Sequence, residues 1–402
     1  MAELSSSERA VVERAEAEPM LDQVLDWAAI NSGSRNLGGL QRMAHVLVDA
    51  FSALPGLLVL EAAGDVNAVD SAGRDIPIEH GHHLHLTVRP TAPVQLLFTG
   101  HMDTVYGAEH SFQDVRWLED GVLNGPGVAD MKGGLAVMLS ALKAVEQSSV
   151  ADRVGYEVVI NSDEEVGSLG SASLLKQAAH GKRAALTYEP AALPDGTLAG
   201  ARPGSGNFDF VVRGRSAHAG RNPEEGRNAV VAAAELALRL SMSKTPGLSI
   251  NPAKIDGGGP NNVVPDLAIL RVNVRPRTTD DEEIATRLIA KALDETAKQH
   301  DVFIEAHGGF GRPPKPLSEE AEALFQLVKE AGADLNQQIG WQPSGGVCDG
   351  NNIAACGVPV VDTMGVRGGK IHSEEEYLIV ESLKERAALS ALTILRLAGA
   401  AA

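Results

Sequence analysis

The spacing of apolar residues changes along the chain and sorts the sequence into helices and strands. Residues 1–10 carry no sustained period and are expected to be frayed. Helical periods follow over roughly 19–31 and 37–54. Apolar runs near 56–62, 84–89 and 94–100 (VQLLFTG) have the length and β-branched character of strands. A turn-rich stretch, DGVLNGPG (120–127), leads into a helix from about 131 to 147. Strand 156–162, helix 169–179 and strand 184–189 come next. Strands alternating with helices predict an α/β fold, with a mainly parallel sheet covered on both faces.

The pattern then changes. Residues 207–213 (NFDFVVR) alternate as a half-buried strand, and a helix is predicted over 226–242. Strands near 249–256 and 266–275 (DLAILRVNV), a helix at 280–299 and a strand at 302–307 complete an α+β order. After about 313 the earlier alternation resumes, with helix 318–332, strand 358–362 and helix 381–398. The sequence therefore predicts a large unit made of 1–202 and 313–402, interrupted by an inserted α+β domain over 203–312. A chain of 402 residues suits two cores better than one.

Charge narrows the class. With 35 basic and 53 acidic residues the net charge is −18, which argues against nucleic acid and against anionic membrane surfaces. No apolar run reaches the ~18 residues of a membrane span. The N-terminal MAELSSSERAVVERAEAE has no apolar segment of the secretory kind. Cys348 and Cys356 are expected to be reduced thiols. The expectation is a cytoplasmic enzyme acting on a small molecule.

The chemistry concentrates at strand ends. INSDEEVGS (160–168) runs an apolar strand straight into Asp163, Glu164 and Glu165, three adjacent carboxylates that repel one another. A solvated acidic loop would tolerate them. So would a cation ligated by one of them, with a neighbour left free for proton transfer. FTGHMDTV (98–105) ends another strand with His101 and Asp103, an H-x-D spacing that suits a metal-bound imidazole oriented by a carboxylate. GPGVADMKGG (125–134) puts Asp130 before a helix, LTYEP (186–190) ends a strand at Glu189, and KIHSEEEY (370–377) offers His372. Taken singly, Asp130 could be a helix cap, Glu189 a turn residue and each histidine a polar loop residue. Taken together they form an inventory for two metal ions sharing a carboxylate. EHGHHLHL (79–86) competes, but His83 and His85 find no carboxylate in pattern and read as the solvated face of an amphipathic strand.

These motifs, H-M-D-T-V, G-P-G-V-A-D-M-K-G-G, D-E-E-V-G-S, Y-E-P, G-R-S-A-H-A-G and H-S-x-x-E-Y, resemble the two-zinc family of carboxypeptidases and N-acyl-amino-acid deacylases. That family includes glutamate carboxypeptidase, acetylornithine deacetylase, succinyl-diaminopimelate desuccinylase and aminoacylase, and the likeness is greatest to the glutamate carboxypeptidase branch. The resemblance implies a zinc exopeptidase-like fold whose inserted domain serves as lid and dimerisation unit. It implies two divalent ions per chain, Zn2+ first and Co2+ or Mn2+ as alternatives. Asp130 would bridge them, His101 and Glu189 would complete one site, and Glu165 and His372 the other. Glu164 would be the base, Asp103 the partner of His101, and Asp163 structural. A cis peptide is implied at Asp130–Met131. His218 would reach the active site of a partner subunit in a homodimer. Arg312 and Asn262 resemble the groups that hold the substrate's α-carboxylate, with Arg275 and Arg202 as weaker candidates. Gly345 and Gly346 belong to a Gly-rich loop beside the substrate. The reaction implied is hydrolysis of an amide next to a free α-carboxylate in an acyl-amino acid or short peptide. It would release a C-terminal amino acid, glutamate by the branch likeness. A deacylase acting on N-acyl amino acids, of the acetylornithine or desuccinylase kind, is the second reading. A catalytically inactive binding protein is the third, which loss of a ligand or of Glu164 would have favoured; all are present.

Overall fold

A computed structural model describes residues 4–243 and 245–399. Its central sheet has six strands in the order Leu57–Glu61, His83–Val88, Val154–Asn161, Val94–His101, Ala184–Thr187 and Val360–Val361. The last four are mutually parallel, and the first two add antiparallel at one edge. Strand alternation feeds two cores: Leu96 and Phe98 enter one, while Leu97 enters the other. Helices Gly133–Glu146 and Glu381–Gly399 fill the larger core, and Ala172–Ala179 and Asp349–Ala354 cover the opposite face. Every residue from Met131 to Leu142 is buried, so that helix is an internal rod rather than an amphipathic one.

The second sheet has four antiparallel strands in the order Leu248–Gly257, Leu267–Pro276, Ser205–Arg213 and Phe303–Arg312. Helices Ala229–Met242 and Thr279–His300 pack on one face around Phe210, Leu236, Leu270 and Ile289. We take 203 and 312 as the boundaries of this inserted unit. Its other face receives a hairpin, Val66–Val69 with Asp75–Ile78, that leaves the large sheet between its first two strands. Val69 packs against Val211 and Ile269, and Arg213 and Arg271 donate to the carbonyls of Gly73 (2.7 Å) and Val69 (3.0 Å).

Three readings of the sequence change. Helix Ser6–Ala17 replaces the fraying expected up to residue 10, because Ser5 and Glu8 form a capping box and Val11, Val12 and Ala15 are buried; residues 1–3 of that expectation lie outside the described residues. The strand expected to end at 307 runs on to Arg312. His83 is buried, not solvated, because its strand lies between two others and its Nδ1 accepts the Ser162 N–H (3.3 Å). His85 is largely buried too, between Glu61 (2.5 Å) and Glu157 (2.7 Å).

Candidate metal centre

The parallel strands end on one side, where open α/β sheets place their sites. Val94–His101 delivers His101, Val154–Asn161 delivers the 163–165 loop, and Ala184–Thr187 delivers Glu189. Asp130 sits just before the rod helix, where the Asp130–Met131 peptide is cis and Asp130 is non-helical (φ −114°, ψ 89°). Glu376, buried, accepts the N–H groups of Gly127 (3.2 Å), Ala129 (3.0 Å) and Asp130 (3.0 Å) and so fixes this turn.

Asp130 divides its two oxygens between two pairs of partners. Oδ1 lies 3.1 Å from His101 Nε2, which is 3.7 Å from Glu189 Oε2. Oδ2 lies 3.4 Å from His372 Nε2, which is 3.2 Å from Glu165 Oε2. His101 Nδ1 is 2.9 Å from the main-chain oxygen of Asp103 and must donate to it, which leaves Nε2 as the nitrogen that faces Asp130. The Asp103 carboxylate stands farther off, 3.5 Å from Nδ1. It accepts the amides of Glu164 (3.1 Å) and Glu165 (3.2 Å) and the Ser34 hydroxyl (2.7 Å). It thus ties the His101 strand end to the acidic loop.

The three adjacent carboxylates are kept apart by pointing three ways. Asp163 turns inward to the Gly170 N–H and the Ser171 hydroxyl, both at 2.7 Å, as a structural residue does. Glu164 turns to Arg312 Nη1 (2.6 Å) and Glu165 to His372. Gly167 ends the turn at φ 102°, a conformation a side chain would strain.

The electrostatics are those of acid groups crowded out of water. Burial, then the Asp130 charge, push Glu165 up to about 8, and burial pushes Glu189 up to about 8. Burial raises Asp130 as well, but hydrogen bonds from His101 and His372 hold it below the usual carboxylate range. Hydrogen bonds to Asp130 and Glu165 raise His372 to about 11. Burial opposes charge on His101, yet Glu189, Asp103 and Asp130 push it well above its ordinary value. The histidines thus act as stand-in countercharges for four buried carboxylates. The donor set fits divalent cations: His101 converges with Asp130 and Glu165 and also with Glu164 and Glu189, His372 adjoins Asp130 and Glu165, and Glu165 Oε1 is buried without a hydrogen-bond partner.

A cleft of about 490 Å3 opens on this cluster, lined among others by Glu164, Glu189, Ala191, Gly346, Val347 and His372. The Gly-rich loop is pinned at its carbonyls, Gly345 by Arg275 (3.0 Å) and Gly346 by Arg202 (3.1 Å). Arg202 itself is clamped by Asp362 (2.7 and 3.1 Å), which also holds Lys315 at 2.9 Å. These two arginines are spent on protein groups. Arg312 is buried, 5% exposed, and its guanidinium meets Glu164. His218 and Asn262 are exposed and sit together, with Ala219 N–H donating to the Asn262 carbonyl (2.9 Å). His218 Nδ1 accepts the Gly220 N–H (3.1 Å), and neither residue lines the cleft of its own chain. Glu376 and Asp362 were missed by sequence reasoning. The first lay in view in H-S-x-x-E-Y; nothing in pattern or spacing marked the second.

A mixed α/β sheet with this donor set at its strand ends defines a metal-dependent hydrolase. The chain belongs to the peptidase family M20/M25/M40, whose model matches residues 97–396. It is 32% identical over 315 residues to carboxypeptidase G2 of Pseudomonas sp. (strain RS-16), covering 75% of this chain and 74% of that one. It is 25% identical over 309 residues to succinyl-diaminopimelate desuccinylase of Hahella chejuensis, covering 72% of this chain and 79% of the relative. The crystal structure of a tripeptidase from Staphylococcus aureus Mu50 shares the fold, with a TM-score of 0.74 at 23% identity over 96% of this chain and 99% of the other.

Proposed function

We propose that the chain is a two-metal hydrolase that cleaves an amide next to a free α-carboxylate and releases a C-terminal amino acid, glutamate first, from an acyl or peptidyl donor. The observation that carries it is the division of Asp130, one oxygen toward His101 and Glu189 and the other toward His372 and Glu165. His101, Asp130 and Glu189 would hold one ion, and Asp130, Glu165 and His372 the other, with zinc as the metal. Such a pair, when bound, lowers the pKa of a water toward 7 and polarises the scissile carbonyl. Glu164 lines the cleft beside His101 and Glu189, Arg312 engages its Oε1, and Oε2 would take the proton from water. The same oxygen returns it to the leaving nitrogen.

His218 would stabilise the oxyanion from the partner chain of a homodimer, with Asn262 beside it on the substrate's carboxylate. The 32% likeness to a carboxypeptidase supports release of the C-terminal residue over deacylation. Two unpaired thiols, Cys348 and Cys356, suit the cytoplasm. Among the described residues no helix is long and apolar enough to cross a membrane. Release of free amino acid from a panel of N-acyl, α-linked and γ-linked amino acids tests the reading. Turnover of acyl-glutamates and peptidyl-glutamates is expected. Turnover confined to N-acetyl or N-succinyl diamino acids would replace it with the deacylase.

A further inference from the structure

We propose that Glu376 is a positioning residue for the metal centre: it joins the turn that carries Asp130 to the loop that carries His372, and the ion between Glu165 and His372 depends on it. This rests on the two-metal reading above. His101, Glu165 and Glu189 stand at or just past strand ends of the large sheet. Asp130 and His372 do not. They leave a smaller sheet, ordered Gly368–Gly369, Tyr377–Ile379, Val122–Asn124 and Arg116–Glu119. Tyr377 pairs with Asn124, so the loop arriving from His372 and the turn leaving toward Asp130 start side by side. Glu376 closes the gap between them. Its Oε1 accepts the N–H groups of Ala129 and Asp130, both at 3.0 Å, and its Oε2 that of Gly127 at 3.2 Å. Its main-chain oxygen accepts Asn124 Nδ2 (2.6 Å). The side chain is fully buried and outside the cleft lining, so substrate does not meet it.

The loop needs that hold. Lys370 and His372 both have left-handed backbone, φ 56° and 62°, a conformation that residues with a Cβ adopt at a cost. The His372 side chain is 54% exposed, whereas that of His101 is 1% exposed. Two further bonds steady the loop: Tyr106 OH donates to the Ser373 main-chain oxygen (2.8 Å) and Ser111 Oγ to Glu374 Oε1 (2.6 Å). Neither of them touches the Asp130 turn. Without Glu376, one ion would still have His101, held by the Asp103 main-chain oxygen, and Glu189 beside its own strand. The other would keep only Glu165 in place, because its bridging carboxylate and its histidine both lie on the untied segments.

Metal-free wild type, Glu376→Gln and Glu376→Asp should be titrated with Zn2+ in competition with a chromophoric chelator. Crystals of each variant grown with one equivalent of Zn2+ then show by anomalous scattering which site is filled. The proposal expects one ion to bind within about threefold of wild type and the other to weaken about 10- to 100-fold, as loss of a group that orients a ligand does. The ion retained should lie among His101, Asp130 and Glu189. Glu376→Asp keeps the charge but shortens the reach, so it should weaken the same ion; it also carries the comparison if Glu376→Gln does not fold. Wild-type affinity for both ions in the variants would overturn the proposal. So would an equal loss of both, which a general disturbance of the fold would give, or an ion retained between Glu165 and His372. Any of these leaves the two-metal reading standing, whereas a wild type that holds fewer than two ions ends that reading and this proposal with it.

Discussion

Glu164 and Glu165 are neighbours with the same side chain, and their surroundings give them different work. Glu165 meets His372 and has one oxygen with no hydrogen-bond partner, whereas Glu164 meets an arginine that cannot bind a cation. Glu164→Gln should therefore lower kcat by about 10²–10⁴ and leave the metals in place. Glu165→Gln should lose metal as well as turnover. Metal analysis beside kinetics separates the two, and a Glu164→Gln protein short of metal would mean that the roles are exchanged. The residue types at the strand ends made this cluster legible from the sequence, since two imidazoles and several carboxylates on one sheet have few other uses. The direction of the Arg312 fork was not legible: GFGRPPKP gives a cation at a junction but not the side to which it turns. The same holds for Glu376, whose acceptance of three amides depends on how the 125–132 turn closes on the 370–377 loop.

At the scale of elements, long periodic segments were readable and short ones were not. The hairpin over 66–78, the strands Arg116–Glu119 and Val122–Asn124 and the helix Asp349–Ala354 span too few residues to show a period. The first helix had its signal in Ser5 and Glu8, which went unweighed. Within the large sheet, His85 joins the edge strand Leu57–Glu61 to Val154–Asn161. Hydrogen bonds to Glu157 and Glu61 raise it above its ordinary 6.5, against burial. Burial would raise Glu157, but hydrogen bonds from His85 and Lys182 lower it below 4.5. The histidine's contribution is full below about pH 6.5 and fades as pH rises through its higher folded value. The Glu157 contribution is full above about pH 4.5 and fades as pH falls through its lower one. His85→Gln should then cost about 1–2 kcal/mol near pH 6 and less near pH 9. Urea unfolding at the two pH values checks this; an equal cost at both would contradict it. Within the rod helix, Leu139→Ala should cost about 2–5 kcal/mol, since the site is closed on all sides and cannot collapse. A thermal melt showing no loss would contradict that packing.

At the scale of the molecule, the alternation of strand and helix that stops at about 203 and resumes at about 313 was the most informative pattern, because each sheet needs its own core. How two chains meet was not written there. Helix Ala229–Met242 leaves Val231, Leu238 and Met242 50%, 59% and 76% exposed on one face, and the neighbouring strand Leu248–Gly257 is a sheet edge. A homodimer through this face is expected, and Leu238→Glu with Met242→Glu should give monomers in light scattering. In such a dimer, mixing inactive His218→Ala and Glu164→Ala chains should restore activity, since one of the two shared sites carries neither lesion. No recovery on subunit exchange would keep His218 out of the neighbour's site. The claim on which the rest depends is the metal centre built around Asp130, and metal content by mass spectrometry after zinc loading and exhaustive dialysis tests it most directly. Two ions per chain in wild type and in Glu164→Gln, fewer in Asp130→Asn, with turnover abolished by chelation and restored by zinc or cobalt, is the predicted result. Full turnover in protein verified to be metal-free, or an Asp130→Asn chain that still holds two ions, would contradict it.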